Sequence, residues 1–138
     1  MNQQENPILA QSDLLIKIIK DKTGAVLEYD LFSLLNLDSV LTGLFGEGMQ
    51  KIQSENLSDF RKALTLQVAC YYGECIRRTF FGEWAQDEKL GLCLKNVGGQ
   101  EITLLPQSTA HERVNGDDNK IYAATSFVMS EIVKKYKP

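Results

Sequence analysis

Residues 71–106 read YYGECIRRTFFGEWAQDEKLGLCLKNVGGQEITLLP, and this stretch decides the fold. In its first part the apolar residues recur every three or four positions, as they do on one side of an α-helix. Beyond Trp84 they recur at every second position, as in a β-strand. Gly82 lies between the two patterns, where we expect a left-handed residue to end the helix. The stretch therefore predicts a helix followed directly by a small antiparallel sheet.

The predicted sheet has two or three strands. Leucines alternate in residues 90–94 and place one apolar face on this strand, and residues 102–104 continue that face on the next one. The glycine pair at residues 98–99 predicts a hairpin between them. Residues 83–86 are a further candidate strand, joined to the first through a polar turn at residues 87–89. We expect helices to cover this sheet, because a small sheet with both faces in water is not stable.

A layer of three helices is predicted before the sheet. Asn6 can cap the first helix, which Gly24 ends, and Asp30 can cap the second. The third helix begins after a cap at Ser54 or Ser58 and is the central one. Its apolar positions recur at steps of three or four: Leu57, Phe60, Leu64, Val68, Tyr71 and Cys75.

Two further helices are predicted after the sheet. Residues 108–114 have the pattern of a short helix, and Asp117 or Asp118 can cap a C-terminal helix with one apolar side. The sequence thus predicts the α+β class. We expect one domain over residues 1–138, in which residues 1–6 form a flexible leader.

Composition limits the partners and the compartment. Among 138 residues, 15 Lys and Arg stand against 18 Asp and Glu, which gives a formal net charge of −3. This charge argues against a phosphate-binding surface, so we expect no nucleic acid partner. No apolar run approaches the roughly 20 residues that span a bilayer, and the first residues lack a signal-peptide pattern. We therefore expect a cytoplasmic protein without a membrane contact.

The three cysteines, Cys70, Cys75 and Cys93, are predicted to be reduced and inert. None belongs to a CxxC pair or to a Cys/His set with metal-ligand spacing. Cys70 and Cys75 are five residues apart on one predicted helix, so their side chains point in different directions and cannot form a disulfide. We expect neither a metal nor another cofactor.

Two neighbouring residues of the central helix require an explanation. Gly73 costs about 1 kcal/mol relative to alanine inside a helix, which predicts close packing against another backbone; a ligand at the bare backbone is the alternative. Glu74 follows among apolar residues, where an unpaired carboxylate is costly. We therefore predict an ion pair with Arg77 or Arg78, and the alternative is a general base or a ligand anchor.

Five residues are candidates for contact with a ligand or a partner: Tyr72, Glu74, Arg78, Trp84 and His111. The first four would line a pocket between the central helix and the sheet. Trp84 is the only tryptophan, and core packing beneath the sheet is its structural interpretation. His111 is the only histidine, and no serine, threonine or cysteine stands in a triad relation to it, so we expect a surface or capping residue.

Several short motifs follow one another along the chain: Leu37-Asp38, Tyr72-Gly73-Glu74 with Arg77 or Arg78, Gly82-x-Trp84 and Leu105-Pro106. This order resembles a group of small, uncharacterised bacterial domains of unknown function. The resemblance implies a helical layer beside a small antiparallel sheet, and it implies no established activity. Phe81 stands where a second glycine would be expected before Gly82.

The sequence favours a non-enzymatic protein, because it contains no recognisable catalytic set. The leading hypothesis is a protein-interaction module, such as an immunity or accessory protein, that binds another protein. One alternative is a small-molecule-binding module with a pocket near Glu74 and Trp84. The other is a hydrolase or transferase that uses Glu74 with His111. A cleft that joins these two residues to an arginine would favour the enzyme, whereas an exposed apolar patch would favour the interaction module. The oligomeric state stays open.

Overall fold

The computed structural model describes residues 5–50 and 58–136, which form five α-helices and a two-stranded antiparallel sheet. The elements in chain order are α1 (Glu5–Thr23), α2 (Leu31–Phe45), α3 (Ser58–Phe80), β1 (Glu83–Asp87), β2 (Gly91–Lys95), α4 (Pro106–Val114) and α5 (Lys120–Tyr136). Short 3₁₀ turns follow α2 and β2. The predicted α+β class is confirmed, as is the order of helical layer, small sheet, short helix and C-terminal helix.

The two helices of the N-terminal part begin and end close to their predicted limits. Helix α1 already includes residues 5 and 6, which we expected in the flexible leader, so Asn6 lies inside the helix rather than at its cap. Residues 1–4 of that leader lie outside the described residues. Gly24 ends α1 with a φ of 78°. Asp30 caps α2 as predicted, since its Oδ1 accepts the Ser33 N–H at 2.8 Å.

Helix α3 is the centre of the fold. Every residue from 67 to 76 is buried, because α1 packs along one side of the helix and α4 along another. Ser58 is its first residue, whereas Ser54 and Leu57 of the predicted start lie outside the described residues. The helix was predicted to be central because apolar residues lie on all of its sides, and the structure confirms this position.

The end of α3 corrects one prediction. Phe81, rather than Gly82, takes the left-handed conformation, with a φ of 69°, and its N–H donates to the Arg77 carbonyl at 2.8 Å. Gly82 follows with a φ of 148°. A left-handed conformation is unfavourable for a residue with a Cβ, which is why a glycine was expected there. The Phe81 side chain is 76% exposed.

The sheet has two strands and one additional bridge. Strands β1 and β2 pair antiparallel, with Trp84 opposite Leu94. Leu94 and Leu104 exchange backbone hydrogen bonds of 3.0 and 2.8 Å, so residues 102–104 add an isolated bridge and not a full third strand. Leu90 lies in the exposed turn between β1 and β2, which corrects its predicted place on the apolar face.

The C-terminal helices close the core. Helix α4 begins at Pro106, two residues earlier than predicted, because proline suits the first turn of a helix. Helix α5 buries Ile121, Thr125 and Val128 and packs mainly against α2. None of the helices in the described ranges is long and apolar enough to cross a membrane.

Candidate functional site

Glu74 is buried, and both of its carboxylate oxygens are bonded. Oε1 accepts from Arg77 Nε at 2.8 Å and from Trp84 Nε1 at 3.0 Å. Oε2 accepts from Arg77 Nη2 at 2.7 Å and from Arg78 Nε at 2.8 Å. The predicted ion pair is therefore present with both arginines, and the tryptophan adds a bond that was not foreseen. Through this bond Glu74 connects α3 to β1.

The electrostatics of Glu74 suit a structural anion better than a base. Burial disfavours its charged form, but the hydrogen bonds from Arg77, Trp84 and Arg78 outweigh burial and lower its pKa from 4.5 to about 2. A general base works best with a pKa near the operating pH. Glu74 is a much weaker base than that, and four donors already occupy its oxygens.

The absence of a side chain at Gly73 leaves the space that the Trp84 ring occupies. A Cβ at position 73 would lie 2.1 Å from Trp84 Cη2 and 3.1 Å from Pro106 Cγ. The predicted close packing is confirmed, although the neighbour is a side chain and not a backbone. Trp84 is buried in the core, as its structural interpretation required. The glycine and the following glutamate thus hold the same indole ring, one by space and one by a hydrogen bond.

Arg78 also holds the segment between α1 and α2. Its guanidinium carbon lies 3.9 Å from the centre of the Tyr29 ring, a cation–π contact. The Tyr71 hydroxyl accepts the Tyr29 N–H at 3.1 Å and lies 2.6 Å from Ser33 Oγ. Burial raises the pKa of Tyr71, so this hydroxyl stays protonated. These contacts are internal and fix the path of residues 24–30.

The five predicted site residues do not form one site. Glu74, Arg78 and Trp84 meet as described above, whereas Tyr72 lines a different groove, together with residues of α4 and α5. His111 is exposed on α4, and its Nδ1 lies 3.3 Å from Asn115 Nδ2. Among the described residues, no hydrogen bond or ion pair joins His111 to Glu74.

An apolar groove that sequence reasoning missed lies between the α1–α2 segment and α2. It has a volume of about 290 Å³, and we name it the Phe32 groove. Its lining residues are Ala25, Val26, Leu27, Glu28, Asp30, Phe32, Ser33, Asn36 and Val40. Phe32 is 75% exposed and Val26 57% exposed. The charged residues of this lining, Glu28 and Asp30, are both acidic. In the sequence, Phe32 lies off the helical face that Leu34, Leu37 and Leu41 share, but nothing there marks a groove beside it.

A buried ionic network was also missed. Arg113 is fully buried, and its Nε donates to Asp38 Oδ1 at 2.7 Å. Asp38 accepts the backbone N–H groups of Ile121 at 3.4 Å and Tyr122 at 2.8 Å, and so caps α5 from α2. Of the two predicted caps, Asp117 accepts the Asn119 N–H at 3.4 Å, whereas Asp118 accepts the Gly48 N–H and lies 3.3 Å from Arg113 Nη1. Asp38 and Arg113 are 75 positions apart in the sequence, and no local pattern indicates this pair.

The Asp38–Arg113 network, like Glu74, has a structural role. Burial raises the pKa of Asp38, and the hydrogen bonds from Tyr122 and Arg113 act against that shift. A polar hollow of about 510 Å³ lies beside it, with Glu47 and Asp118 on its wall. Among the described residues, no group of three or more His, Cys, Asp or Glu side chains could hold a metal ion.

The cysteines are free and buried, in agreement with the predicted lack of a disulfide. Burial raises the pKa of Cys70 to about 11 and that of Cys75 to about 12. Because the thiolate is the nucleophile, these two thiols are unreactive near neutral pH. Cys93 is buried on β2.

The described residues therefore combine a bonded acid, a separate exposed histidine and several open grooves. No protein-family model, curated protein or solved structure matches the chain.

Proposed function

We propose that this chain is a non-enzymatic protein-interaction module of the cytoplasm that binds another protein through the Phe32 groove. One observation carries the proposal: Phe32, a large aromatic residue, is 75% exposed beside an apolar groove that also exposes Val26. Aromatic side chains that a partner buries dominate the energy of many interfaces. Complete burial of a phenylalanine is worth about 1.5–3 kcal/mol.

The charges around the groove define the chemistry of the partner. Glu28 and Asp30 are exposed in its lining, and the whole chain carries a net charge of −3. A complementary segment would present an apolar side chain to Phe32 and Val26, with a lysine or arginine beside it. Such complementarity favours specific and fast association. A partner of this kind fits an accessory or immunity role.

The alternatives have less support. The proposed enzyme would use Glu74 with His111, but these side chains belong to different surroundings, and four hydrogen bonds hold the carboxylate. A small-molecule pocket near Glu74 and Trp84 has the same difficulty, since the indole and the carboxylate already bond to each other.

A differential capture experiment tests the proposal. The native protein, Phe32→Glu and Phe81→Glu would be compared as baits in an extract of the source cell. Phe81 is a matched control, because it is 76% exposed and does not line the groove. We expect a protein that binds the native chain and Phe81→Glu but not Phe32→Glu, and that also binds in purified form. Equal binding of the purified protein to both variants would contradict the proposal.

A further inference from the structure

Tyr72 lines a second groove, and its hydroxyl has no hydrogen-bond partner in the part of the chain that the structure describes. Tyr72 on α3 is only 1% exposed, and within residues 5–50 and 58–136 its hydroxyl has no hydrogen bond. Among the described residues, two fully buried side-chain polar atoms lack a hydrogen-bond partner, Arg61 Nε and Gln67 Oε1. The Tyr72 hydroxyl is not one of them, so a small part of its surface is accessible. Tyr72 is one of the residues that line the groove, so its small accessible surface is available to a ligand there. A tyrosine hydroxyl that is accessible and has no protein partner can donate a hydrogen bond to a ligand.

The neighbouring residue Tyr71 differs from Tyr72 in the hydrogen bonding of its hydroxyl. Tyr71 is equally buried, yet its hydroxyl bonds to Tyr29 and Ser33. Tyr71 is therefore hydrogen-bonded within the core, whereas Tyr72 lines the groove and its hydroxyl has no hydrogen-bond partner among the described residues.

The walls of this second groove are mainly apolar. Its volume is about 350 Å³, within the range of sites for small molecules. Its lining residues are Tyr72, Leu104, Thr109, Lys120, Ala123, Ala124, Phe127 and Val128. Phe127 is exposed at its edge, where it can fold over a bound apolar body. A ligand with a short alkyl or aryl part matches these walls.

The groove contains one cationic side chain, which can bind an anionic group of a ligand. Lys120 is the charged residue of the lining, and its Nζ lies 2.6 Å from the exposed Glu112 carboxylate. Since that ion pair is at the surface, it contributes little, and a ligand carboxylate can share or replace it. Tyr72 and Thr109 offer hydroxyl donors to the same group.

We propose that this groove, which we name the Tyr72 groove, binds a small amphiphilic monocarboxylate. The apolar part lies against Leu104, Ala124 and Phe127, and the carboxylate accepts from Tyr72 and Lys120. This site is independent of the Phe32 groove, so either proposal can fail without the other.

Octanoate is a suitable probe, with 1-octanol as its neutral counterpart. In amide NMR spectra of the full chain, octanoate should shift the signals of Tyr72, Thr109 and residues 120–128. Tyr72→Phe removes only the hydroxyl and should weaken octanoate binding at least about tenfold, the scale of one hydrogen bond to a charged group. 1-Octanol should bind more weakly than octanoate to the native chain and almost equally to both proteins.

Two variants control the result. Tyr71→Phe removes the bonded hydroxyl and should leave octanoate affinity unchanged, although it lowers stability. Ala123→Trp fills the Tyr72 groove from an exposed position and should abolish binding while the melting temperature stays constant. Signal shifts outside this groove, equal octanoate affinity of Tyr72→Phe, or equal affinity for 1-octanol in the native chain would overturn the proposal.

Discussion

Gly73→Ala should destabilise the protein, even though alanine favours a helix by about 1 kcal/mol over glycine. The added Cβ would lie 2.1 Å from Trp84 Cη2, and real Cβ contacts are essentially never closer than 3.0 Å. The indole must therefore move by about 1 Å. Overpacking of this kind costs about 1–3 kcal/mol, and loss of the Trp84–Glu74 hydrogen bond adds about 1.5–3 kcal/mol. We expect a net loss of about 3 kcal/mol in the free energy of unfolding.

Urea unfolding provides the assay, and Trp84 provides the signal, because it is the only tryptophan. Gly43→Ala is the matched control: Gly43 lies inside α2, and nothing lies within 4 Å of a Cβ built there. This control should gain up to about 1 kcal/mol. Equal stabilisation by both substitutions would refute the reasoning, as would an unchanged fluorescence spectrum of folded Gly73→Ala.

Three further substitutions test other contacts. Glu74→Ala should cost about 3 kcal/mol at neutral pH. Because the folded-state pKa lies near 2, below the ordinary 4.5, this cost should shrink as the pH falls through that interval; a constant cost would contradict the account. Asp38→Asn should cost about 3 kcal/mol in urea unfolding, because it removes the carboxylate that pairs with buried Arg113, and an unchanged midpoint would speak against this network. His111→Ala should change stability by less than about 0.5 kcal/mol and leave partner binding intact. Lost binding by the folded variant would place His111 in the site.

Local patterns predicted most of the fold. The Asp30 cap, the glycine end of α1 and the change of period near Trp84 each depend on a few adjacent residues, and each is present in the structure. Glu74 belongs to the same class, since its arginines lie three and four positions further along one helix. Such signals are readable because one element contains both partners.

Contacts between distant segments were not predictable in this way. Asp38 meets Arg113 and the start of α5 only after three helices have packed, so the sequence suggested Asp117 or Asp118 as a local cap instead. The left-handed Phe81 violates the preference for glycine, and no pattern marks such an exception. The opposite fates of Tyr71 and Tyr72 depend on where Ser33 and Tyr29 lie.

The exposure of Phe32 was the main feature of the candidate site that the sequence did not predict. Phe32 lies two positions before buried Leu34 and so on the opposite side of the helix, but the apolar sequence of α2 does not show how much of that side faces water. Only the packing of α2 on α1, α3 and α5 determines which side remains in water. The proposed binding surface therefore depends on tertiary structure, whereas the ion pair of Glu74 could be predicted from the sequence.

The affinity of the purified partner for three forms of this protein tests the central claim most directly. Isothermal titration calorimetry would compare the native chain, Phe32→Glu and Phe81→Glu, with folding of each verified by thermal unfolding. We predict that Phe32→Glu loses at least about 30-fold in affinity, the scale of an interface hot spot, while Phe81→Glu stays within about threefold. Equal affinity of all three folded forms would contradict binding through the Phe32 groove.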